Sequence, residues 1–200
     1  MPRIEAATVA EHNVMRRRQV VDAAVEVLTE KGVAGLHPAA VAARTGLARS
    51  TMYQYYPSTQ ALLGAAVEAM LAAARDRALA AVAGADTPVA RVTAYLHAAM
   101  AEAQSGHGRL AEIATLPMPE VCREGIRALH EQMTEPLRQA LAEAGTPDPG
   151  AVAGFVNAVV NAVAVAIRHG APPESTIDAA LRFALAGAGL PPPDRSAQQP

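Results

Sequence analysis

The stretch TGLARSTMYQYYPS, residues 45–58, holds three of the four tyrosines of a 200-residue chain that has two Phe and no Trp. Tyr53, Tyr55 and Tyr56 stand there beside Arg49, Ser50 and Thr51. Hydroxyls and a guanidinium at this spacing suit a surface that touches something flat, charged or hydrogen-bonding; the plainer reading is a small aromatic core. Other residue types that could do chemistry are scattered. His97, His107, His130 and His169 fall on different elements, without an H-E-x-x-H pattern or paired cysteines, so no metal site or cofactor is expected. No G-x-S-x-G, Walker loop or G-x-G-x-x-G is present, and no catalytic pair is visible, so the chain does not read as an enzyme. Cys122 lies on an apolar helical face and reads as a buried, inert thiol.

Composition bounds the fold. Half of the chain is hydrophobic, mostly Ala, Val and Leu, and helix formers dominate, which points to an all-α fold with a real core. One cysteine excludes an intrachain disulfide framework and fits a reducing compartment. The first residues carry acids and lack the apolar run of a secretory signal. The most apolar segment, residues 151–167, is shorter than the roughly 20 residues of a membrane span and contains two Asn. It reads as a buried helix, and the protein as soluble and cytoplasmic, with no membrane partner. The net charge of −2 is unevenly distributed. No Asp or Glu occurs between Lys31 and Val67, so a polyanion would meet no like-charge repulsion from that stretch.

The elements that position these groups can be drawn from capping and periodicity. A first helix is expected from Asn13 to Glu30 or Lys31, with Gly32 ending it and Val14, Val21, Ala24, Val25 and Leu28 as its buried stripe. Pro38 suits the first turn of a short second helix ending at Arg44 before Gly46. A third, Ala48–Tyr55, is stopped by Pro57. Ser58 caps a long fourth helix to about Ala83, with Leu62, Leu63, Val67, Met70 and Leu71 inward. Two short helices joined by a Gly-containing turn form a helix-turn-helix unit. Ala42, Val41, Leu47 and Met52 form its inside, and Gly46 supplies the positive φ of the turn. Arg49, Ser50, Tyr53 and Gln54 then share one outward face, where a recognition helix presents itself to the major groove. Further helices are expected at about Val89–Ala103, in LAEIATL, at about Pro119–Ala144, and at 150–169 and 174–187. The loops SGHGR and GTPDPG separate them. Residues 191–200 read as a disordered tail.

GVAGLHPAAVAARTGLARSTMYQYYPSTQALLGAAV resembles the N-terminal region of tetracycline-repressor (TetR) family transcriptional regulators. The resemblance covers about residues 14–68; beyond them only the all-helical, Ala-rich layout is similar. It implies a helix-turn-helix DNA-binding domain at residues 1–57 and a long helix leading into a ligand-binding and dimerisation domain at 58–190. It implies a homodimer on a palindromic double-stranded DNA operator, released by a small-molecule effector. By position, Arg49, Ser50 and Thr51 correspond to base contacts, Tyr53 and Tyr55 to phosphate contacts, and Tyr56 to a packed aromatic. Two residues depart from the pattern. His37, before Pro38, stands where the family often has a capping, phosphate-binding Thr. Thr59 stands where it often has a phosphate-binding Lys. Both changes place more weight on Arg44, Arg49 and the cluster Arg16–Arg18.

In the second half, Tyr95, His97, Met100, Met118, Cys122, Met133, Phe155 and Asn157 are candidate pocket residues for an effector of apolar or amphipathic character. Asn157 and Asn161 lie one turn apart in an otherwise apolar helix, and their amides need partners at a subunit interface or on a ligand. Val160, Asn161, Ala164, Ile177 and Leu181 are expected at a two-fold, four-helix interface. The alternative reading is an all-helical small-molecule-binding protein or enzyme that does not bind DNA.

Overall fold

The computed structural model describes residues 9–104 and 120–192. The expected loop 105–109, the LAEIATL helix, Met118 and nearly all of the tail lie outside the described residues. Among the described residues all regular structure is helical: α1 (Val9–Gly35), α2 (Pro38–Thr45), α3 (Arg49–Tyr55), α4 (Thr59–Ala83), α5 (Pro88–Gln104), α6 (Glu120–Glu143), α7 (Pro149–Arg168) and α8 (Pro173–Gly187). The all-α expectation holds. The chain forms two compact units, residues 1–70 with 116–125 and residues 71–115 with 126–200. The first unit therefore includes the first half of α4, beyond residue 57 where the sequence divides.

In the first unit, α1 packs on α2 and α2 on α3. α1 starts before Asn13, which lies inside the helix; the Ala- and Glu-containing residues ahead of it are themselves helix formers. Gly32 interrupts it with φ 67° and ψ −172°. The buried stripe is Val20, Ala23, Ala24, Val27 and Leu28, and Val14 is exposed while Val21 and Val25 are only half-buried. The expected Ala24 and Leu28 are buried, and Val20, Ala23 and Val27 join them in place of Val14, Val21 and Val25. α2 and α3 follow expectation: Val41, Ala42 and Met52 are buried, and Leu47 is half-buried. On α4, Leu62, Leu63, Val67, Met70 and Leu71 are all buried, as their spacing requires.

The close approach of α6 to α4 in this unit depends on a missing side chain. A Cβ at Gly64 would lie 2.4 Å from the Cys122 sulfur and 2.7 Å from its Cβ. Glu68 sits one turn further along α4. Burial and the Glu68 carboxylate both push the Cys122 thiol up, so it stays protonated, in keeping with an inert thiol.

The second unit packs α5 against α7 and α8, and α7 against α8. Its core includes Val92, Leu96, Leu137, Leu141, Val156, Val163 and Leu185. Asp148 caps α7 by accepting a hydrogen bond from the Ala151 N–H at 3.2 Å. α7 is 20 residues long with a mean hydropathy of 2.0, long and apolar enough to cross a membrane by those criteria alone. Its length therefore does not exclude a span, contrary to the sequence expectation. Ala153, Val156, Val163 and Ala164 nevertheless bury one side of it in the core of the unit.

Candidate nucleic-acid interface

The turn between α2 and α3 is built from Thr45 and Gly46. The Thr45 hydroxyl donates to the Val41 carbonyl at 3.1 Å, and Gly46 closes α2 with φ 68°. A side chain there would be strained by that backbone, so the turn requires glycine. The chain then enters α3 with Met52 fixed inside. This single buried anchor sets the rotation of the helix, and Arg49, Ser50, Tyr53 and Gln54 are all exposed on it. Thr51 and Tyr55 are half-buried. Arg49 has no carboxylate partner among the described residues, so its five N–H donors are available to a base edge or a phosphate.

The flanking residues divide into two groups. His37 caps α2, its Nδ1 accepting the Ala40 N–H at 3.1 Å. In the neutral imidazole this places the proton on Nε2, as a donor on an exposed side chain. Histidine thus supplies the cap and keeps a hydrogen-bond donor at the position. Thr59 is exposed at the start of α4, where the Ser58 hydroxyl accepts from the Ala61 N–H at 3.1 Å. Arg44 is different. Its Nη1 lies 2.7 Å from Glu26, and its Nη2 pairs with Glu30, two residues one turn apart on α1. The guanidinium is held in its charged state by these two carboxylates. The acid-free stretch of sequence did not reveal them, because acids outside it fold against α2. Their i, i+4 spacing was the available signal.

Tyr56 is half-buried, and the Arg17 guanidinium lies over its ring, 5.9 Å from the centroid. Burial pushes the Tyr56 hydroxyl up. Arg17 was legible only as a member of the Arg16–Arg18 cluster.

In the second unit, the Tyr95 hydroxyl donates to Asn157 Oδ1 at 3.1 Å. Asn157 Nδ2 donates to the Thr134 hydroxyl at 3.2 Å, which donates to the His130 carbonyl at 2.9 Å. Met100 is buried near one end of α5, Met133 packs against the same core, and His97 is half-buried. Tyr95, Met100, Met133 and Asn157 are thus brought together around one core. Two other candidates are not. Cys122 belongs to the first unit, and Phe155 points outward, 70% exposed. Thr134, which completes the polar chain, was missed; a lone Thr on an amphipathic helix gives no sequence signal.

The residues expected at a subunit interface also divide. Asn161 is exposed, and Val160 and Ile177 are partly buried against the core. Ala164 and Leu181 are buried inside the unit, because they continue the stripe of Val156 and Val163 on α7 and of Leu185 on α8. The outward side of α7 carries Ala151, Gly154, Phe155, Ala158, Asn161, Ala162 and Val165. That is a second stripe at helical spacing, almost wholly apolar. Phe183 of α8 is likewise exposed. Among the described residues no cluster of three His, Cys, Asp or Glu could hold a metal.

Residues 20–66 match the model of the bacterial regulatory proteins of the tetR family. The HTH-type transcriptional regulator BetI of Rhizobium meliloti is 33% identical over 82 residues, which cover 41% of this chain and 40% of that protein. Fold similarity extends further. The transcriptional regulator FadR of Bacillus subtilis, in complex with stearoyl-CoA, superposes with a TM-score of 0.69 at 16% identity, over 85% of this chain and 98% of that one. SCO4454, a TetR-family regulator of Streptomyces coelicolor, gives 0.72 at 15% identity over 92% and 96%. A Saccharomonospora viridis protein described as a transcriptional regulator, in complex with choline, gives 0.72 at 14% over 85% and 95%. Residues 20–66 thus carry the segment that resembles the tetR family, and the chain shares its fold with these solved regulators.

Proposed function

We propose that the protein is a ligand-responsive transcriptional regulator, a cytoplasmic repressor without enzymatic activity, that binds a palindromic operator as a homodimer and leaves it when a small, largely apolar effector binds. The exposed face of α3 carries this reading: Arg49, Ser50, Tyr53 and Gln54 stand out together, with no acid competing for Arg49 among the described residues. Arg49, Ser50 and Thr51 read bases; Tyr53, Tyr55, His37 and Thr59 donate to phosphates. Arg44 serves through its clamp on α1, which holds α2 and hence the turn in place.

The homodimer reading rests on the outward stripe of α7. A soluble chain rarely leaves Phe155, Phe183 and Val165 exposed on adjacent helices without a partner, and an isologous contact would cover them in both copies. The effector reading rests on the core around Tyr95, Met100, Met133 and Asn157. Relatives of this fold hold ligands as unlike as stearoyl-CoA and choline. Quaternary ammonium groups are bound by cages of aromatic rings. Beyond residue 70 this chain has only Tyr95, Phe155 and Phe183, two of which point outward. That supply favours an aliphatic or amphipathic guest, hydrogen-bonded to Tyr95 or Asn157, over a choline-like cation.

The test is selection of duplexes from a random pool, followed by gel-shift titration of the enriched sequence. Arg49→Ala should cost roughly 1–3 kcal/mol and relax preference at one position per half-site. Tyr53→Phe should weaken binding to all sequences alike, because a phosphate contact carries no base information. If both variants bind the enriched duplex like wild type, the assignment of α3 is wrong.

A further inference from the structure

The structure describes seven cations in the first unit: Arg16, Arg17, Arg18, Lys31, Arg44, Arg49 and Arg123. Among the described residues of this unit Arg123 pairs with Glu120 and Arg44 has two carboxylate partners, whereas none is found for the other five. Arg16 donates to His12 and to Gln19. Among the described residues Arg17 has no hydrogen-bond or ion-pair partner, and its guanidinium lies over the ring of Tyr56, the residue that closes α3. A guanidinium over an aromatic face uses its plane and leaves its N–H edges free, which suits it to bind an oxyanion at the same time. Arg17 also precedes the residues matched by the family, 20–66.

We propose that Arg17 is a sequence-independent DNA-backbone contact of this protein, its guanidinium held by the Tyr56 ring so that its charge stands at the C-terminal end of α3. The proposal rests on the regulator reading above. It accounts for two features at once. Arg44 is neutralised by Glu26 and Glu30, and Thr59 brings no charge, so Arg49 alone would supply the positive charge of the helix-turn-helix surface. Arg17 restores a second cation beside it. The exposure of Arg17 with no carboxylate partner among the described residues is then explained by a phosphate outside the chain.

The experiment needs no operator. Binding of the full chain to a mixed-sequence duplex of about 40 base pairs is followed by fluorescence anisotropy from roughly 20 to 200 mM salt, where each neutralised phosphate adds about 0.9 to the slope of log K against log salt. Arg17→Ala should lower that slope by about 0.9 per protomer and weaken binding most at low salt. Arg17→Lys keeps the charge and should restore the slope. Equal slopes for wild type and Arg17→Ala would overturn the proposal. So would an Arg17→Lys variant that behaves like Arg17→Ala, since that result assigns the guanidinium to packing on Tyr56. These two results leave the regulator reading standing. Wild-type protein that binds no duplex at the lowest salt would overturn that reading, and the role of Arg17 with it.

Discussion

Burial pushes the Tyr95 hydroxyl up to about 12, the nearby Thr134 hydroxyl opposing the shift only in part. Tyrosine in an unfolded chain ionises near 10. The folded state therefore holds its proton over a range where the unfolded state loses it. The contribution of Tyr95 to stability is fully present below about pH 10 and is lost as pH rises through 12. Two pH units correspond to about 2–3 kcal/mol. Urea unfolding midpoints of wild type should fall across that window, and those of Tyr95→Phe should fall less. At neutral pH the same variant should be less stable by about 1–2 kcal/mol, because Asn157 Oδ1 loses its donor. Equal alkaline slopes for both proteins would show that Tyr95 titrates freely. At this scale the sequence told much about α3 and less about what surrounds it. Arg49 and Tyr53 lie one helical turn apart in the chain and could be read together. Glu26, Glu30 and Arg17 reach their partners only through folding, and no local pattern brings them to Arg44 and Tyr56.

The helices were legible to within a few residues wherever a breaker or cap marks their ends. Pro38 with Gly46, Ser58, Asp148 with Pro149, and Gly170 are local chemistry, and local chemistry can be read locally. The faces were harder. On α1 the expected stripe named Val14, Val21 and Val25, and the structure buries Val20, Ala23 and Val27 beside the expected Ala24 and Leu28. In a chain this rich in alanine, hydrophobic contrast between the faces is low, so burial is decided by how closely helices approach. Gly64 makes the point testable. Gly64→Ala would drive a methyl group into the Cys122 side chain, forcing α4 and the start of α6 apart. Such overpacking costs roughly 1–3 kcal/mol. Cys122→Ala removes the sulfur that the new Cβ meets first, so the double variant should be more stable than the sum of the two single changes predicts. Strict additivity in thermal unfolding would mean that the helices are not in contact at this point.

For the molecule as a whole, the outward stripe of α7 is the feature that one chain cannot explain. Val160, which sequence periodicity would choose for disrupting an interface, packs partly against the core, so a charge there would damage the fold itself. Phe155 is the cleaner probe, since 70% of it is exposed. Phe155→Asp, alone or with Phe183→Asp, should leave the monomer's stability within about 1 kcal/mol. It should shift wild-type dimer to monomer in sedimentation at micromolar concentration. A wild-type monomer under the same conditions would sink the dimer, and with it a two-fold operator. The division of α7 into an inner and an outer apolar face also explains why periodicity alone could not separate its core residues from its outward ones. A helix apolar all round announces that it is covered on every side, without saying which side belongs to its own chain.

The contact between Gly64 and Cys122 has a kinetic consequence. Cys122 is the chain's one sulfhydryl, it is buried, and its neighbours hold it in the unreactive protonated form. A thiol reagent added to the native protein can therefore modify it only in the moments when α4 and α6 part. The modification rate is then a clock for that opening, read against a free thiol under the same conditions. A duplex that clasps the first unit should slow the clock.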